Sequence, residues 1–70
     1  MDWLDVEGSS VIAAEAYDPA TETIFVRFKS GDEWWYRACS LEEWEAFRQG
    51  SRGAYLNAVL KTKLSGRVGG

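Results

Sequence analysis

The sequence predicts an α+β fold, a three-stranded antiparallel meander packed against two C-terminal helices in the order β-β-β-α-α. Two observations predict it. From Ser10 to Arg37, apolar, β-branched and aromatic runs are broken only by two short turns, so neighbouring strands must run antiparallel. After Ser40 the apolar spacing changes from two to nearly four, the period of an amphipathic helix. Two layers are the simplest way to bury one sheet face and two helical stripes.

Each element follows from its residues. Residues 1–8 place Trp3, Leu4 and Val6 between acids and read as an arm that packs back onto the domain. Ser10 to Tyr17 is a weak, alanine-rich strand. In Asp18-Pro19-Ala20-Thr21 the proline presets φ and the Asp carboxylate can accept from the backbone ahead of it, which makes a turn. Thr23 to Lys29 is the strongest strand, Ser30-Gly31-Asp32 the second turn, and Glu33 to Arg37 an aromatic third strand. Ser40-Leu41-Glu42-Glu43 has the form of a capping box. Leu41, Trp44 and Phe47 then share a helical face that Gly50 ends. A second helix is expected from about Gly53 to Lys61, with Tyr55, Leu56, Val59 and Leu60 as its stripe. The single domain spans residues 9–63, and the glycine-rich residues 64–70 read as a flexible tail.

Composition excludes whole classes of function. The chain has 70 residues, 46% hydrophobic and 27% charged, which describes one small globular domain. It contains no histidine and one cysteine, Cys39. That removes internal disulfides, Cys/His zinc sites and imidazole catalysis, so neither a metal nor a cofactor is expected. No apolar run is long enough to span a membrane. The acidic start differs from a signal peptide, so a cytoplasmic protein is expected. Net charge is −3, yet residues 1–45 hold eleven acids against three cations, and residues 46–70 hold five cations and no acid. The acidic total disfavours tight nonspecific phosphate binding, while the basic final third keeps local anion binding open.

Strand alternation divides each strand into two sets. Ile12, Ala14 and Ala16, then Ile24, Val26 and Phe28, then Trp34 and Tyr36 form the core-facing sets. The opposite face then holds Tyr17, Phe25 and Trp35 beside Arg27, Lys29 and Arg37. Rings interleaved with cations suit stacked bases or a protein partner. Two plainer fates are open to the same residues: cover by the arm through Trp3 and Leu4, or burial in a homodimer. The cations can equally pair with Glu15 and Glu33 across the sheet. Ser51-Arg52-Gly53 offers Arg52 to an anion, or serves only as an interhelical turn. Cys39 reads as a buried structural thiol, and Glu42, Glu43 and Glu45 as a solvated helix face. No catalytic dyad or phosphate loop is present, and the expectation is a protein that is not an enzyme.

The series Ser9-Ser10-x-Ile12, Tyr17-Asp18, Phe28, Gly31, Trp34-Trp35-Tyr36 and Ser51-x-Gly53-x-Tyr55-Leu56-Asn57 resembles the KTSC domain, from about Glu7 to Lys63. That family is named for the C-terminal domain of some lysyl-tRNA synthetases and includes stand-alone bacterial and phage proteins. Its central Tyr-x-Tyr looks like Trp34-Trp35-Tyr36 here, and its usual proline before the first helix looks replaced by Ser40. The synthetase context of the resemblance implies RNA binding; its phage members imply a small phage-encoded protein that inhibits or sequesters a host component. The residues themselves favour a non-catalytic module that engages a protein partner, or a second copy, through the aromatic sheet face. RNA or nucleotide binding by the same face, with help from Arg52, is the alternative.

Overall fold

The computed structural model describes residues 2–68, and within them the chain forms one antiparallel sheet with both helices on one of its faces. The strands are β1 (Leu4–Asp5), β2 (Ile12–Asp18), β3 (Thr23–Phe28), β4 (Glu33–Tyr36) and β5 (Ser65–Arg67), in spatial order β1-β2-β3-β4-β5. The helices are α1 (Leu41–Gln49) and α2 (Arg52–Ala58), followed by a 3₁₀ turn at Leu60–Thr62.

The sheet therefore has five strands where three are predicted. The arm and the tail supply the two extra strands, each completing hydrogen bonds that an edge would leave open. Val6 in the arm donates to the Ala13 carbonyl at 2.9 Å and is buried in the core. At the other edge Arg37 donates to Leu64 O and Val68 donates to Glu33 O, both at 2.8 Å. The segment read as a tail thus contributes β5 and its bonds as far as Val68; residues 69–70 of that reading lie outside the described residues. At Gly66 the Trp35 indole lies across the strand, so closely that a Cβ there would collide with the ring. An aromatic cross-strand neighbour shields a strand glycine that has no side chain of its own.

A second difference lies in β2. Ile12 pairs with Phe28 but Ala14 pairs with Arg27, so Ala13 is an extra residue on β2. One inserted residue inverts every later side chain. Ile12 faces the helices as predicted, but beyond Ala13 it is Glu15 and Tyr17 that face them, and Ala14 and Ala16 that turn outward. In β3 and β4 the predicted parity stands: Ile24, Val26 and Tyr36 are buried, and Phe28 and Trp34 pack partly exposed against the same core.

The helices start where the caps require. Ser40 Oγ accepts from Glu43 N at 3.2 Å, and Glu43 Oε1 accepts from Ser40 N at 3.2 Å, closing the capping box. Trp44 and Phe47 are buried, whereas Leu41, expected on the same stripe, is 56% exposed at the first helical position. The second helix ends earlier than predicted, at Ala58, and Leu60 enters the core from the 3₁₀ turn. Phe47, Ile12, Ile24, Leu60 and Val26 form the centre of the core.

Candidate functional site

The face opposite the helices is organised by register, since directly paired residues project to the same side. Ala16 pairs with Phe25, Phe25 with Trp35, and Trp35 with Gly66. Trp3, one residue before the Leu4–Glu15 pair, continues this row across β1 and meets Phe25 edge-on with ring centroids 6.4 Å apart. One line thus crosses the sheet as Trp3, Ala16, Phe25, Trp35, Gly66, with the small residues Ala16 and Gly66 lying beside the rings. Ala14 and Ala16 are at most 2% exposed and form the floor on which the rings rest.

Cations sit on these rings. The Arg27 guanidinium lies 4.4 Å from the Trp3 ring centroid, and its Nε donates to Glu33 Oε2 at 2.7 Å. The Arg37 guanidinium lies 5.0 Å from the Trp35 centroid. Such stacks hold a charged side chain flat against an aromatic surface. Lys29 is exposed just beyond β3, where its backbone donates to Val11 O at 2.8 Å. Flanking the row at β5 are Leu64, 68% exposed, and Val68, 41% exposed.

Of the predicted site residues, Phe25, Arg27, Trp35 and Arg37 come together here, with Lys29 at the margin. Tyr17 does not. The Ala13 bulge turns it to the helical side, where it stacks on Trp44 at 5.4 Å and donates its hydroxyl to Cys39 O at 2.7 Å. Burial, reinforced by nearby Glu22, holds its phenol above the ordinary value. Arg52 is displaced from the predicted role as well. Its Nε and Nη2 donate to the two oxygens of Glu15 at 3.1 Å, and Arg48 Nε reaches the same carboxylate at 3.1 Å. Glu15 is 1% exposed, so Arg52 is committed to neutralising a buried acid.

Sequence reasoning gave Trp3 only a covering role and left Leu64, Gly66 and Val68 in a tail. The available signal was Trp3-x-Asp5 alternating with Leu4-x-Val6, a short strand pattern with one ring on the outer side. At Cys39, burial raises the thiol above its usual value and its Sγ contacts Tyr36 O at 3.4 Å, the setting of an inert core residue. Among the described residues no cluster of three or more acidic or cysteine side chains is placed to hold a metal, and no helix is long and apolar enough to cross a membrane.

An antiparallel sheet with two short helices on one face and a ring-bearing row on the other defines a small two-layer α+β domain. The KTSC domain family model matches residues 8–63, and the chain belongs to that family. Among solved structures it is similar to the KTSC domain protein YPO2434 from Yersinia pestis. That crystal structure is 23% identical, with a TM-score of 0.89 and 97% of each chain covered, a likeness that speaks to the fold. No curated protein matches the chain.

Proposed function

We propose that this KTSC domain is a non-catalytic interaction module that docks a polypeptide surface on the outer face of its sheet. The observation that carries the reading is the row Trp3–Ala16–Phe25–Trp35–Gly66, which crosses the whole sheet on the side no helix covers. Aromatic anchors on a rigid sheet, rimmed by Arg27, Arg37, Leu64 and Val68, have the composition of a protein interface core. Glu33 neutralises Arg27 on this face, and Asp5 projects to the same side through its pairing with Ala14. Both acids disfavour a phosphate backbone.

Sedimentation equilibrium over a concentration series, on the wild type and Trp35→Ala, tests the second copy as occupant. Cross-linked capture from the source cell, with nuclease treatment and high salt, tests a different protein. Support is an association that survives both treatments and disappears in Trp35→Ala. Binding indifferent to Trp35→Ala overturns the reading. The two arginine–ring stacks favour RNA as the second reading, and that alternative wins if binding is lost on nuclease treatment and weakens steeply with salt.

A further inference from the structure

The helical side of the sheet carries a separate feature. α2 is only seven residues long, and beyond it the inner face is left partly open near β4 and β5. There Phe28, Trp34, Tyr36 and Ser65 on the sheet face Leu56 of α2 and Lys61 of the 3₁₀ turn across a cleft of about 290 Å³. Three of its six lining residues are aromatic and none is acidic. A concave, mainly apolar wall with one charged group is the usual makeup of a small-molecule site.

The charge pattern says which ligand suits it. Four of the five C-terminal cations are committed to acids of the first 45 residues: Arg48 and Arg52 to Glu15, Lys63 to Glu43 at 2.7 Å, and Arg67 to Asp32 at 3.3 Å. Lys61 is the exception. Among the described residues it enters no salt bridge, and it stands at the rim of the ring-lined cleft. An apolar wall and an uncommitted ammonium complement a flat apolar body that ends in an anion.

We propose that this cleft binds a small aromatic carboxylate, its rings against Trp34, Phe28 and Leu56 and its carboxylate toward Lys61. The site is separate from the outer face and independent of the partner proposed there.

The probe is 2-naphthoate, titrated into the ¹⁵N-labelled chain, with 2-naphthamide as its neutral counterpart. The expected result is saturable shifts of the Trp34 indole N–H and of the Leu56, Lys61 and Ser65 amides, with the Trp3 and Trp35 indoles unmoved. Lys61→Gln should weaken naphthoate about fivefold, the worth of an exposed ion pair, and leave naphthamide unchanged. Lys61 is exposed, so this variant should fold normally. Equal affinity of naphthoate for wild type and Lys61→Gln overturns the proposal. So do shifts centred on Trp35, or no binding at millimolar concentration, the result expected if a polypeptide occupies the cleft.

Discussion

One carboxylate sets how the helices sit on the sheet. Glu15 is sealed from water and tolerable there because charged donors from Arg48 and Arg52 replace its hydration. Arg52→Ala leaves it with Arg48 alone, whose side chain is 47% exposed, and should cost about 3 kcal/mol. Arg48→Ala should cost less, since it leaves Arg52 in place. Urea melts of the two variants read the difference, and equal losses would mean that the acid does not depend on its better-buried partner. A second contrast runs along β4. Tyr36 is 6% exposed and sits in the core, so Tyr36→Ala should cost about 3–5 kcal/mol. Trp35 is only partly buried and covers Gly66 from outside, so Trp35→Ala should cost about 1–2 kcal/mol. If thermal melts rank Trp35→Ala as the more damaging, the outer face is holding the fold together.

At the scale of elements, the start of α1 is tied to the chain leaving the 3₁₀ turn. Lys63 Nζ reaches Glu43 Oε2 at 2.7 Å and donates to Ala38 O at 2.9 Å. The hydrogen bond from Lys63, with those at Ser40, holds the Glu43 carboxyl below its ordinary value, and the same bond raises Lys63. A lowered carboxyl contributes stability above its unfolded pKa and loses it as pH falls through the folded one. A raised amine contributes below its unfolded pKa and loses it as pH rises through the folded one. The clamp is therefore complete between the two ranges and opens at both ends. Lys63→Met should lower Tm near neutrality, and its Tm should fall less steeply than the wild type's between about pH 6 and pH 2. Parallel acid limbs would show that the clamp carries no pH dependence. The capping box that starts α1 was legible because Ser40 and Glu43 stand at a diagnostic spacing, and β3 because β-branched and aromatic residues fill nearly every position. The Ala13 bulge was not, since alanine fits either face of a sheet and gives no sign of which way it turns. Tyr17 and Glu15 were misplaced for that reason alone, and with Tyr17 went one ring of the predicted site. The edge strands were hidden by brevity: two residues at β1 and three at β5 are too few to show a period.

For the whole molecule, the uneven charge along the sequence becomes a closure of residues 46–70 onto the first 45. Cations from α1, α2, the segment after the 3₁₀ turn and β5 each find an acid contributed by the first 45 residues. β5 adds backbone closure, bonding both ends of β4 through Leu64 O and Val68 N. A chain ending at Lys63 keeps the Glu15 and Glu43 pairs but loses β5 and the surface on which Trp35 rests. Losing a few net hydrogen bonds and part of the Trp35 contact should cost about 2 kcal/mol. For a domain of this size that lowers Tm by about 8–16 °C. The bared edge of β4 should also make the shortened chain associate at high concentration. A tail that merely trailed from the domain would leave Tm unchanged on removal, so calorimetry of the shortened chain separates the two pictures. Gly66→Val separates them without deletion: its side chain must collide with the Trp35 ring if β5 is docked, so Tm should fall. In a detached tail the same substitution would touch nothing, and an unaltered melt would remove β5, Leu64 and Val68 from the outer face together.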